Sequence, residues 1–324
     1  MRRMRERSIG ARHQRGIAML MAILLVALAT VLAATIGYKS AMASRRGVAT
    51  LAFDQSLLVA EAAEALAAYA LREDLKAGSE SDHPAEEWGH PLGPVEVVPG
   101  ITLEAYLEDA SGRFNLNSLI SADGTVDENA LHDLERLLVN LDMEPKWASL
   151  IADWIDRDST PLNPDGAEDS TYAAQDPPYQ TANTFITSPS ELLALPDFGR
   201  ERYLRLAPYV TALPRSAKLN VCTAPGVLID ALIGEGHSEF GRDPEQMAKD
   251  REAGCHPTMQ DLQAAFGGDT DAWNKVQGRI SQTSSHFRLI SIVTIGSAEF
   301  TLYSLLRREA TGQVSVLMRS FSQD

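Results

Sequence analysis

The chain has 324 residues, 44% of them apolar and 23% charged, with a formal net charge of −15. This is a globular composition, long enough for one large domain or two ordinary ones, and it excludes wholesale disorder. The acidic balance argues against a nucleic-acid binder working through a basic face, and two cysteines exclude a disulfide-dense scaffold and any four-cysteine metal site within one chain.

Residues 1–16 carry six arginines against one glutamate, +5 in all, so the other 308 residues hold −20. Directly after this leader, residues 17–38 contain no charge, and Lys39 is the first to follow. As a helix this run spans roughly 33 Å at about 1.5 Å per residue, slightly more than a bilayer's hydrocarbon core. The arginines hold the amino end in the cytoplasm and place the rest of the chain across the membrane. Three readings fit this start. One is a cleaved secretory signal with Ala41-Met42-Ala43 as its cutting site, although the apolar run is longer than such signals use. The second is an uncleaved anchor. The third is a prepilin-type signal, favoured by Gln14-Arg15-Gly16 before the apolar run. It is cut after the glycine on the cytoplasmic side, so that Ile17 becomes the first residue and the helix stays attached.

The helix continues beyond the membrane. Leu51, Leu58, Ala62, Ala65 and Tyr69 recur at helical spacing and form an apolar stripe that needs a partner. Softening is expected at Gly37 and Gly47, and a stop at Gly78. A Gly-, Pro- and acid-rich loop follows. Val95 and Val97, then Ile101, Leu103, Ala105 and Leu107 beyond Pro99-Gly100, read as two short strands joined by a turn. From Asp109 to Gln282 the periods are helical: Leu131, Leu134, Leu138 and Leu141, then Trp147, Leu150 and Trp154. Ser188-Pro189-Ser190-Glu191 is a capping box, Pro225 opens a helix closed by Gly234, and Thr258 caps another. The last stretch alternates again, through Phe287–Ile295, Phe300–Leu306 and Val314–Met318, punctuated by Gly296 and Gly312, and reads as an antiparallel meander. The expected fold is α+β: a pilin-like long amino-terminal helix packed on an antiparallel sheet, with a large mainly helical domain inserted between strands. The segments are a 1–16 leader, a helix with its membrane half at 17–38 and outer half at 39–78, a loop and first strands at 79–108, the helical insertion at 109–282, and closing strands at 283–324.

These residues resemble a known family. Gln14-Arg15-Gly16-Ile17-Ala18, the D-x-x-G-R-F-N-L-N run from Asp109 to Asn117, Asp153-Trp154-Ile155-Asp156-Arg157-Asp158, Gly166-Ala167-Glu168-Asp169, Pro178-Tyr179, Asn183, Ser190-Glu191-Leu192 and Leu219-Asn220-Val221-Cys222-Thr223-Ala224 follow one another as in the minor pseudopilin K family of type II secretion. Cys222 stands where that family usually has asparagine. The resemblance implies a non-enzymatic subunit at the tip of a short periplasmic pseudopilus, helping to start or cap its assembly beside minor pseudopilins I and J. It implies cutting by prepilin peptidase between Gly16 and Ile17, an inner-membrane anchor held by lipid, and contact with exported proteins or the outer-membrane channel. Most pilins carry glutamate at the fifth mature position, where this chain has Met21. A carboxylate in the membrane is costly unless paired, and a tip subunit has no subunit above it to supply the pairing ammonium.

Residues 153–169 hold six acids, Asp153, Asp156, Asp158, Asp165, Glu168 and Asp169, against Arg157 alone. Either this is a solvated acidic loop, or a hard cation such as calcium relieves the repulsion. It is not an EF-hand, because Thr160 breaks the ligand pattern. The family's helical domain binds calcium, and the resemblance therefore implies ligands among Asp156, Asp158, Glu168 and Asp169, with Asn183 as a further candidate; Asp153 reads as facing a helix surface. Cys222 and Cys255 can pair outside the cytoplasm, stabilising their loop by about 3 kcal/mol, or remain as two buried thiols.

Two rivals compete with this reading. An enzyme is poorly supported, since no H-E-x-x-H, G-x-S-x-G or phosphate-loop motif is present and the seven histidines are scattered. A membrane-anchored helix-hairpin-helix protein for DNA binding or uptake is suggested by Leu195-Pro196-Asp197-Phe198-Gly199, with Arg200, Arg202 and Arg205 behind it to meet phosphates. The −20 charge opposes this, and no nucleic acid is expected.

Overall fold

The computed structural model describes residues 14–78, 80–235, 237 and 239–322. Most of the expected leader, residues 1–13, lies outside the described residues. Contacts divide the chain into two units, residues 1–57 and 58–324.

The first unit is helical. Helix α1 runs Gln14–Ala77. Its most apolar stretch reaches a mean hydropathy of 2.8, with none of that stretch buried. Unpaired backbone groups are intolerable in hydrocarbon, so a run such as 17–38 satisfies them within one helix. The helix passes unbroken through Gly37 and Gly47, contrary to the softening expected there. Its threonines return their hydroxyl protons to the helix: Thr30 donates to the Val26 carbonyl at 2.6 Å and Thr35 to that of Leu32 at 2.8 Å.

In the second unit the remaining turns of α1 end at Gly78, whose φ of +79° suits glycine. Strands β1 (Leu92–Val98) and β2 (Ile101–Asp109) follow. A helix-rich excursion comes next: β3 (Phe114–Asn115), α2 (Glu128–Asn140), α3 (Trp147–Ile155), α4 (Asp169–Tyr172), α5 (Gly199–Leu206), β4 (Val210–Thr211), β5 (Leu219–Asn220), α6 (Gly226–Ile233), α7 (Pro244–Glu252), α8 (Met259–Ala265), α9 (Thr270–Val276) and β6 (Ile280–Ser281). The chain then closes with β7 (His286–Ile295), β8 (Ala298–Arg308) and β9 (Val314–Ser320). The five long strands form one antiparallel sheet in the order β1-β2-β7-β8-β9. β2 lies directly against β7, with Asp109 opposite Phe287. Residues 110–285 therefore leave and re-enter the sheet between neighbouring strands.

The helix covers the sheet with a different face from the one its large apolar residues mark. Ala60, Ala63, Ala67 and Leu71 are buried, whereas Leu58 is 66% exposed and Tyr69 58% exposed. The buried helix face is mostly alanine, and the sheet buries Leu103, Leu289, Leu302 and Leu306. The same face carries Glu64, buried but fully engaged: Arg319 donates to both of its oxygens at 2.8 and 2.7 Å, and the Ser304 hydroxyl donates at 2.6 Å.

The excursion has its own core, built on Leu134, Leu137, Leu138, Ile151, Leu192, Phe198 and Leu228. Asp127 caps α2 by accepting from the Asn129 and Ala130 amides. The capping box at Ser188 is present but opens only a short 3-10 segment, Pro189–Ala194. Asparagines join distant segments. Asn117 bonds Ile186 through both amide ends and also donates to Leu213, while Asn115 accepts from the Leu213 amide and donates to the Pro214 carbonyl. These bonds flank the short parallel pair β3–β4. Cys222 and Cys255 are joined in a disulfide, their Cα atoms 4.6 Å apart.

Candidate metal centre

Helix α3 ends where Asp156 turns to extended backbone, with ψ 177°. Asp153 and Asp156, three residues apart, share a side of its last turn. The loop that follows folds back, with the Leu162 amide donating to Asp153 at 3.1 Å and the Gly166 amide donating to the Leu162 carbonyl at 2.6 Å. A Cβ at Gly166 would fall on the Asp153 carboxylate and the Leu162 backbone, so only glycine closes the loop this tightly. Glu168 then occupies the position before α4, but its side chain makes no capping bond. Carboxylate oxygens of Asp153, Asp156 and Glu168 all lie within 4.8 Å of one another, and all three residues are buried.

Three like charges at that spacing repel strongly. Each ionised pair costs at least about 3.5 kcal/mol at an effective dielectric constant of about 20, and among the described residues no basic side chain pairs with any of the three. Asp156 Oδ1 and both Glu168 oxygens are buried without a hydrogen-bond partner among the described residues, as are Asn183 Oδ1 and the Tyr172 hydroxyl. Burial, then the neighbouring carboxylates, push the Glu168 carboxyl up to about 7. Burial first, with Asp158 adding to it, pushes Asp156 up to about 6; Asp153 rises to about 6, also mainly through burial. The rings of Trp154, Tyr172 and Tyr179 pack on one another beside the group and shield it from water. Such a set suits a hard divalent cation. Oxygens each about 2.4 Å from a shared calcium ion lie at most about 4.8 Å apart, and neutral carbonyl oxygens complete its shell.

Asp158 and Asp169 lie near enough to this trio to raise Glu168 further. Asp158 is exposed and accepts from the Thr160 amide at 2.7 Å. Asp169 accepts from the amide and hydroxyl of Thr181 at 3.0 and 2.8 Å. Asn183 is tied to α3 by its amide, which donates to the Trp154 carbonyl. Asp153, which the sequence places on a helix surface, is completely buried and belongs to the trio. Its spacing from Asp156 is the available signal.

A second carboxylate trio, Asp74, Asp82 and Glu86, also lies within 4.8 Å. It already contains a cation. Arg308 donates to Asp74 at 2.9 Å and to Asp82 at 2.5 Å, while Glu86 accepts from the Trp88 indole at 2.7 Å. Neighbouring Asp109, inside the sheet junction, accepts from the Ser111 amide, Asn220 and the hydroxyls of Ser284 and Thr223.

The arginines behind the Leu195–Gly199 turn are largely spent inside the protein. Arg202 donates to the carbonyls of Asp197 and Phe198 and stacks on Trp147, and Arg205 donates to the Asp142 carbonyl. At the amino end a Cβ added at Gly16 would meet nothing within 4 Å, and Ile17 and Met21 are exposed on α1.

A long apolar amino-terminal helix whose later turns cover an antiparallel sheet defines a pilin-like protein. Comparison with known proteins narrows this. The family described as type II secretion system (T2SS), protein K, matches residues 112–215. Type II secretion system protein K of Pseudomonas aeruginosa is 32% identical over 323 residues, covering 96% of this chain and 94% of that protein. Its counterpart in Klebsiella pneumoniae is 37% identical over 220 residues, covering 65% and 67%. A chain in the crystal structure of the GspK-GspI-GspJ complex from the enterotoxigenic Escherichia coli type 2 secretion system superposes with a TM-score of 0.74 at 25% identity, covering 86% of this chain and all of that one. This chain belongs to the type II secretion system protein K family. It is a minor pseudopilin of that system, and among the described residues one helix is long and apolar enough to cross a membrane, consistent with a single-pass membrane anchor. Nothing favours the DNA-binding reading.

Proposed function

We propose that the chain acts at the tip of the pseudopilus, beside minor pseudopilins I and J, to start or cap assembly during export across the outer membrane. The observation that carries this is its likeness, over 86% of its length, to a chain solved within a GspK-GspI-GspJ complex. In this reading prepilin peptidase cuts between Gly16 and Ile17, the helix remains in the inner membrane, and the body from Lys39 onward is periplasmic. Met21 supports tip placement, because an apolar residue there needs no partner from a subunit above. The role is architectural and involves no catalysis. Calcium, held by Asp153, Asp156 and Glu168 with Asn183 supplying a neutral oxygen, stiffens the excursion; Asp158 and Asp169 anchor the loop around it.

Full-length chain co-expressed with minor pseudopilins I and J and extracted in detergent is expected to elute with both. Elution alone, while I and J remain together, sinks the assignment. Met21→Glu tests the tip separately: unchanged secretion and pseudopilus assembly would show that this position does not encode tip placement.

A further inference from the structure

Residues 17–46 hold three bases, Lys39, Arg45 and Arg46, and no acid, whereas residues 47–324 carry −23. The three bases follow directly on the uncharged run 17–38 and lie on the unbroken helix α1. All three are exposed, and among the described residues none has a hydrogen-bond or ion-pair partner for its side chain. No acid stands three or four places from any of them, where a helix would pair it with them, and the first acid beyond is Asp54. Lys39 and Arg46 are about two turns apart and share a face, while Arg45 lies about 100° round the helix from Arg46. The bases therefore form an arc on one side of the helix and not a ring. Tyr38, 68% exposed, stands directly before them.

We propose that this arc binds the phosphate groups of anionic phospholipids in the leaflet from which the helix emerges. The inference rests on the reading that 17–38 spans the membrane. Depth selects this occupant first. With 17–38 filling the hydrocarbon, Lys39 falls in the headgroup layer, and the Cα atoms of Arg45 and Arg46 lie about 9–10 Å farther out at about 1.5 Å per residue. Helix Cα–Cβ bonds tilt toward the amino terminus, which here is toward the membrane, so both arginines lean back to the same layer. An exposed tyrosine at the end of the apolar run suits that interface as well. Charge selects it second. Bases beside a membrane helix ordinarily gather on the cytoplasmic side, where the leader already supplies +5 and sets the orientation. Three more on the far side add nothing to that orientation, but an anionic surface attracts each of them. Guanidinium pairs with phosphate bidentately, and the same surface repels the acidic remainder of the chain. A dissolved anion is not concentrated at this depth, whereas lipid presents its phosphates there side by side.

The test reconstitutes the full-length chain into nanodiscs of equal phosphatidylglycerol and phosphatidylcholine with matched acyl chains. The chain is then released into neutral detergent, and the lipids it keeps are counted by native mass spectrometry. The leader's arginines also attract anionic lipid, so the readout is the change made by Lys39→Gln, Arg45→Gln and Arg46→Gln together, with the leader intact. Glutamine resembles lysine and arginine in helix propensity, which keeps α1 whole. The ratio of phosphatidylglycerol to phosphatidylcholine should fall at least about fivefold. It should hold in the charge-preserving variant Lys39→Arg, Arg45→Lys and Arg46→Lys, and in Lys249→Gln with Lys275→Gln, which removes exposed bases of α7 and α9. An unchanged ratio in the triple glutamine variant overturns the proposal; if that variant has also lost co-elution with minor pseudopilins I and J, the bases meet protein acids instead. A ratio that collapses in inorganic phosphate but not in chloride of equal ionic strength marks a site for free anions and overturns it too. Failure of the parent to enter the discs overturns the anchor reading and the arc with it, whereas entry without an arc-dependent lipid excess overturns the arc alone.

Discussion

The second unit holds two carboxylate trios of nearly the same size, one buried throughout and one buried only at Asp82, and they are resolved in opposite ways. Arg308 pairs with Asp74 and Asp82, and each of the three acids Asp74, Asp82 and Glu86 accepts a hydrogen bond from a side chain of the protein. Asp153, Asp156 and Glu168 have no such cation, and three of their oxygens have no hydrogen-bond partner among the described residues. One trio is complete within the covalent sequence. The other is complete only with protons or an added ion. The difference shows that proximity of acids does not by itself define a cation site, because an arginine of the same chain can answer the charge.

The comparison can be broken most forcefully at Arg308. Arg308→Met removes the arginine from the first trio and leaves Asp82 buried without it, and should cost about 3–5 kcal/mol in denaturant unfolding. In chelator, the second trio should make stability fall as pH rises. Glu168 binds its proton up to about 7 in the folded chain but only to about 4.5 when unfolded. Its contribution is therefore full below about pH 4.5 and lost through about pH 7, on the order of 3 kcal/mol. Asp153 and Asp156, raised to about 6, act in the same direction from a lower starting pH. A flat chelator profile from pH 5 to 8, measured by urea unfolding, would contradict this.

Calcium at about a hundred times its dissociation constant should stabilise the chain by about 2.7 kcal/mol, read as a rise in melting temperature over chelator. Glu168→Gln should abolish that rise while leaving the chelator form as stable as the parent or more so, because it removes repulsion instead of a bond. An unchanged calcium response in this variant would exclude Glu168 as a ligand. The smallest effect is expected at Gly166→Ala, where the added methyl displaces Asp153 or Leu162 and costs about 1–3 kcal/mol. Its calcium response should shrink as well, since the displaced Asp153 no longer meets Asp156 and Glu168.

Much of this architecture is legible in the sequence, because its signals are local. An uncharged run of 22 residues, strict alternation in the last strands and the leucine period of α2 depend only on neighbours along the chain. The packed face of the helix is not legible, for a physical reason. Hydrophobicity favours Leu58 and Tyr69 over Ala60 and Ala63, but the alanines are the residues buried and the larger side chains stay exposed. The acidic loop is visible as a segment, whereas the burial of Asp153 beside Asp156 and Glu168 is not. Asp158 and Asp169 look equivalent to Asp156 in composition, and only the fold engages their oxygens with Thr160 and Thr181. Asn115, Asn117 and Asn220 stand out as parts of motifs, yet Asn220 reaches a partner 138 positions away. Bonds of that separation leave no periodic trace.

The excursion departs at Asp109 and returns beside it at His286, on strands that are already hydrogen-bonded neighbours. Its two ends are therefore one strand spacing apart, close to about 5 Å, and the sheet's register is indifferent to what spans them. A tight hairpin grafted in place of the whole cassette would leave the strand ladder intact.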